Sequence, residues 1–178
     1  MARVKPVPYE DLPNDVRDVV KKYGTEYGPF GNQAQVLAQV PPAAHHLAAM
    51  LMELKARQGI TWRYIELAVV AVSKLNECDY CVAHHSPHLR VDGMSEQGLQ
   101  TLLDYEHHPE LDDVDKLVVE YAIAVTQNAG KLRDNLFERL HANFSDAEIV
   151  ELTLRISLCG FFNRFNDALM IEIEEELT

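Results

Sequence analysis

From Gln33 onward the apolar residues of this chain return every three or four positions, and the stretches carrying them are separated by glycines, prolines and capping residues. A helix turns by about 100° per residue, so this spacing gathers apolar side chains on one helical face. A strand would need alternation at every second position. The best strand candidate is IELAVVAV, residues 65 to 72, yet Ile65, Ala68, Val69 and Val72 fit a helical stripe equally well. The chain therefore reads as an all-α fold of about eight helices, at roughly 32–39, 42–57, 61–75, 78–91, 95–104, 112–129, 132–142 and 146–174, after a first helix from Asn14 or Asp15 to Tyr23. Thr61, Ser95 and the capping box Ser145-x-x-Glu148 supply starts, and Gly59, Gly93 and Gly130 supply stops.

A length of 178 residues suits one domain, residues 1–178, with 1–13 as an extended arm marked by Pro6, Pro8 and Pro13. Apolar residues make up 47% and charged residues 25%, an ordinary globular balance. The formal net charge of −12 repels phosphate backbones and anionic lipid, so neither nucleic acid nor membrane is an expected partner. The start of the chain has no apolar targeting segment, and three cysteines do not make the dense framework of a small secreted scaffold. The expected location is the cytoplasm.

Two of those cysteines stand in NECDYCVAHHSPH, residues 76 to 88. If Cys78 opens a helix, Cys81 lies about 60° around it and His85 projects between them. His84 falls away from that stripe, and His88 follows Pro87, which removes a backbone donor. A cysteine at a helix start meets free N–H groups and the positive end of the helix dipole, both of which stabilise a thiolate. Upstream, Glu66 is out of place in an apolar run, where a carboxylate is costly unless paired or functional. On one continuous helix it would sit about 18 Å from Cys78. If the chain reverses near residues 75 to 77, Glu66 stands about 14 Å up one arm and His85 about 10 Å up the other, as neighbours. Glu66, His85 and the thiols then form a proton relay. Cys81, one turn from His85, is placed to attack, while Cys78, nearer the exposed helix start, is placed to resolve.

The string E-x11-C-x2-C-x3-H from Glu66 to His85, within ELAVVAVSKLNECDYCVAHH, resembles the core motif of the AhpD-like alkylhydroperoxidases of the carboxymuconolactone decarboxylase superfamily. Weaker similarity to the peroxidase-related branch extends through GNQAQVLAQVPPAAHHLAAMLMELKARQGITWRYIEL and FFNRFNDAL. The resemblance implies an AhpD-like helical fold and a homo-oligomer, a trimer or hexamer. It implies a peroxidatic Cys81, a resolving Cys78, and His85 with Glu66 as relay. The implied activity is thiol-dependent hydroperoxide reduction with no cofactor, the partners being a small hydroperoxide and an external thiol or dithiol reductant. The best-studied peroxidases of this kind carry a histidine between the cysteines, where this chain has Tyr80. The decarboxylase branch generally lacks the C-x-x-C, which argues against ring-lactone decarboxylation.

Two alternatives stand beside this reading: a redox sensor on the same fold, and a structural zinc site using both cysteines and a histidine. His45, His46, His107, His108 and His141 are scattered and read as surface or helix-end residues. Cys159 reads as a buried small hydrophobe. Trp62, Phe161, Phe162 and Phe165 read as core or subunit interface, with Asn163, Asn166 and Asp167 interleaved where they could line a polar pocket or interface.

Overall fold

The computed structural model describes residues 2–177, with residue 176 by its backbone alone; Met1 and Thr178, the ends of the expected arm and domain, lie outside the described residues. Among the described residues the regular structure is helical throughout: α1 (Asn14–Lys22), α2 (Gly31–Leu37), α3 (Pro41–Arg57), α4 (Trp62–Leu75), α5 (Asp79–Val91), α6 (Glu96–Thr101), α7 (Asp113–Asn128), α8 (Asp134–Asn143) and α9 (Asp146–Leu169). Two ends fall short of expectation by three residues or more. α9 stops at Leu169 because Met170 turns to φ 51°, and the Ile171 N–H closes the end on the Asn166 carbonyl at 3.0 Å. α6 ends at Thr101, where the Asp104 N–H reaches back to the Thr101 carbonyl at 2.9 Å, a tighter turn than the α-helix.

The chain falls into two compact units, Met1–Gln58 with Phe165–Thr178, and Gly59–Arg164. In the first, α1 and α2 pack on α3, and Val16, Val20 and Tyr23 are buried while Val19 is half-buried. α1 continues into a π-helical turn, Tyr23–Tyr27, which stacks Tyr23 on Tyr27 and on Phe30 at 5.0 and 5.7 Å between ring centres. Asn166 accepts a hydrogen bond from buried Gln33 at 3.0 Å.

The second unit is built around α4, which packs against α5 and α7. Every residue of α4 from Ile65 to Ser73 is buried, which accounts for the continuous apolar run: a helix enclosed on all sides needs no polar face. The expected capping signals are used. Ser95 accepts from the Gly98 N–H at 2.9 Å, and Ser145 and Glu148 close their capping box, with the Ser145 N–H donating to Glu148 at 2.8 Å. Arg63 of α4 holds Asp115 of α7 through two nitrogens, the shorter contact being 2.7 Å. Asp115 is buried while Arg63 keeps partial access to water, with side-chain exposures of 3% and 26%. Asp115→Ala is expected to cost about 2 kcal/mol, the scale of charged hydrogen bonds lost at a half-solvated pair, read as a lower denaturant midpoint at unchanged slope. A loss under about 0.5 kcal/mol would reduce the pair to an ordinary surface contact.

Candidate active site

α4 ends at Leu75, and the chain reverses through Asn76 and Glu77 before α5. The reversal is a Schellman closure. The Cys78 N–H bonds the Ser73 carbonyl at 2.9 Å, and the Glu77 N–H bonds the Lys74 carbonyl at 3.2 Å. Glu77 takes the left-handed position at φ 56°, where a side chain costs about 1 kcal/mol more than glycine. Cys78 is the N-cap of α5, and the Val82 N–H bonds its carbonyl at 3.1 Å.

The resulting hairpin sets Glu66 Oε2 2.9 Å from His85 Nδ1, with side-chain exposures of 0% and 15%. An ionised carboxylate only accepts, so Nδ1–H donates and Nε2 is left as the basic nitrogen of the ring. Glu66 Oε1 is buried with no hydrogen-bond partner among the described residues. Cys81 lies in the first turn of α5, among the helix-start N–H groups. It is 4% exposed and Cys78 0%. The expectation that Cys78 stands near an exposed helix start is therefore corrected. The Schellman bond folds the start of α5 back under the end of α4, so the N-cap lies at the inside corner of the hairpin.

His84 points away from the Cys78, Cys81, His85 stripe as its position predicts, but into the interior. Its ring stacks on Tyr80 at 4.1 Å between centres, and its Nδ1 lies 2.6 Å from the Tyr80 carbonyl. Tyr80 and His84 are each 3% exposed. Sequence reasoning treated the two separately, although their i,i+4 spacing on one helix was the available signal. Pro87 lies within α5, which nonetheless runs on to Val91. His88 meets Trp62 edge to face at 6.3 Å.

His108 is corrected from surface to interior. It is 2% exposed, its Nε2 donates to the Gly98 carbonyl at 2.9 Å, and its Nδ1 accepts the Glu110 N–H at 3.2 Å. His107 and His141 are exposed beside Asp104 and Asp146. Among the described residues, no group of three or more His, Cys, Asp or Glu is gathered as a metal site. Phe161 is exposed, and Trp62 lies under the Arg155 guanidinium at 5.8 Å.

Cys159 on α9 is buried, with its Sγ 3.3 Å from Ser73 Oγ. Burial pushes its thiol up to about 12, outweighing hydrogen bonds from Ser73 and Asn163, and Cys78 and Glu66 add to the rise. A group that holds its proton far above neutrality is a poor nucleophile. In the folded protein at pH 8, iodoacetamide is expected to leave Cys159 unmodified, and peptide mapping after denaturation should find it labelled. Labelling of the native thiol within minutes would contradict its burial.

Residues 41–106 match the Carboxymuconolactone decarboxylase family. The chain is 30% identical over 105 residues to the uncharacterized protein YnjA of Escherichia coli (strain K12), a match covering 59% of this chain and 58% of that protein. It thus spans less than two thirds of this curated relative. Among solved structures, the alkylhydroperoxidase AhpD core of an uncharacterized peroxidase-related protein from Ralstonia eutropha JMP134 superposes with a TM-score of 0.84 at 22% identity, covering 99% of this chain and 94% of that one. The debrominase Bmp8 superposes with a TM-score of 0.77 at 18% identity, covering 97% and 92%. At those identities the likeness is one of fold. Residues 41–106 are thus similar to the carboxymuconolactone decarboxylase superfamily, and the chain has the AhpD-like helical fold. That superfamily includes enzymes. Among the described residues no helix is long and apolar enough to cross a membrane.

Proposed function

We propose that this protein is a thiol-dependent hydroperoxidase using Cys81 and Cys78 as its redox pair and Glu66 with His85 as its proton relay. The observation that carries the reading is the 2.9 Å contact between Glu66 and His85 across the hairpin that also presents both cysteines. His85 takes the Cys81 proton while the Glu66 carboxylate steadies the resulting imidazolium, and the thiolate attacks the terminal peroxide oxygen. The O–O bond breaks, Cys81 becomes a sulfenic acid, and His85 returns the proton to the departing alkoxide as an alcohol. The Cys78 thiol then attacks the sulfenic sulfur, forming the Cys78–Cys81 disulfide and releasing water. Two external thiols, or one dithiol, reduce the disulfide and are themselves oxidised. The reading extends to a homo-oligomer in the cytoplasm. Val150, Leu154 and Phe161 present apolar area along one exposed side of α9, which supports an interface there.

The test is steady turnover of an alkyl hydroperoxide with excess dithiothreitol. Continuous consumption over many equivalents supports the enzyme. Consumption that halts at one equivalent per chain identifies a sensor, and none at all removes the peroxidase reading.

A further inference from the structure

Four buried or half-buried polar side chains, Asn163, Ser73, Asn76 and Cys159, cluster at the closed end of the hairpin. Asn163 of α9 is 0% exposed. Its Nδ2 donates to Ser73 Oγ at 3.2 Å, and its Oδ1 accepts from Asn76 Nδ2 at 2.8 Å. Ser73 in turn donates to the Val69 carbonyl at 2.7 Å, with Cys159 alongside at 3.3 Å. A buried amide costs free energy unless its donors and acceptors are met, and an apolar side chain would fill the space more cheaply. What the amide adds is direction. Its two shorter bonds end on the residues that close the reversal, since Ser73 supplies the carbonyl that holds the Cys78 N–H and Asn76 caps α4, while its longer contacts reach Cys159 at 3.6 and 3.8 Å.

We propose that Asn163 is a positioning residue for Cys78: by tying Ser73 and Asn76 to α9 it holds the turn that carries Cys78, and so sets the dithiol–disulfide equilibrium of Cys78 and Cys81. The proposal rests on reading those cysteines as a redox pair. A thiol held near its partner loses little freedom when the S–S bond closes, so a fixed turn stabilises the disulfide. Without the amide, residues 73 to 78 gain freedom that closure must then remove. The disulfide is weakened and its potential becomes less negative.

The measurement equilibrates the full-length protein with mixtures of reduced and oxidised glutathione, quenches by alkylation, and reads the Cys78–Cys81 disulfide by mass spectrometry. In this exchange the disulfide and two reduced glutathiones give the dithiol and one oxidised glutathione. Asn163→Ala is expected to destabilise the disulfide at least about tenfold, about 30 mV for a two-electron couple. Asn76→Ala should shift it in the same direction, and the double variant should go no further than Asn163→Ala alone, because both act through one contact. Thr153→Val tests general loosening of α9, since Thr153 bonds Tyr121 at 2.6 Å well along that helix from the turn; it should leave the potential unchanged.

An unshifted or more negative potential in Asn163→Ala overturns the proposal, as does an equal shift in Thr153→Val or simple additivity in the double variant. Should Asn163→Ala not fold, half-buried Asn76→Ala against Thr153→Val decides the matter. A wild-type protein that forms no Cys78–Cys81 disulfide removes the redox reading itself. A wild-type disulfide whose potential ignores Asn163 removes only this inference.

Discussion

On the proposed mechanism, Cys81→Ser is expected to abolish thiol-dependent hydroperoxide turnover, lowering kcat/KM by at least about 10³-fold, whereas Cys78→Ser is expected to leave a first oxidation intact and to stop the cycle after it. The first half follows from the nucleophile. A thiol yields its proton to a neighbouring base far more readily than a serine hydroxyl does, and the sulfur–oxygen chemistry has no serine counterpart. Losses of this size are usual when an attacking atom is removed. The second half follows from the order of steps. Without Cys78 the resolving thiol is gone, so with no reductant added the Cys81 sulfenic acid persists. A dimedone adduct on Cys81 after one equivalent of peroxide would be the direct sign. Full steady turnover in Cys81→Ser would end the peroxidase reading, and loss of the first oxidation in Cys78→Ser would reverse the two roles.

The hairpin that joins Glu66 to His85 was legible because it needed only local quantities. These were the rise of a helix, two arms of known length, and a carboxylate that an apolar run would not carry without reason. The all-helical class was legible for the same cause, since periodicity is local. Three features were not. Cys78 was placed at an exposed helix start, because capping rules describe one helix and cannot report that the cap lies inside a corner. His108 reads in sequence as a surface or helix-end residue; its buried ring bonds the Gly98 carbonyl 10 residues away. Asn163 was noticed among aromatics, but its partners Ser73 and Asn76 stand 90 and 87 positions upstream. A pairing at that distance leaves no periodic trace.

On the proposed relay, Glu66→Gln is expected to separate function from folding. Glu66 is 0% exposed and meets His85 through one oxygen, while its second oxygen has no partner among the described residues. Holding a carboxylate in such a place is expensive, and a buried pair often returns little net stability. A neutral amide of nearly the same shape escapes most of that cost and can still accept from the Nδ1–H through its carbonyl oxygen. The variant should therefore melt at the wild-type temperature or a few degrees above it, since about 1 kcal/mol corresponds to about 2–4 °C in a chain of this size. Turnover should move the other way. The amide orients the ring but offers no negative charge to steady the imidazolium when His85 takes the Cys81 proton, so kcat/KM should fall by at least about 10²-fold, in the direction seen when the carboxylate behind a catalytic histidine is neutralised. A structural role predicts the reverse pattern, a lower melting temperature with turnover nearly intact. Measured together on one preparation, melting temperature and peroxide turnover tell the two apart, because a residue kept for packing has no reason to carry an unpaired buried oxygen.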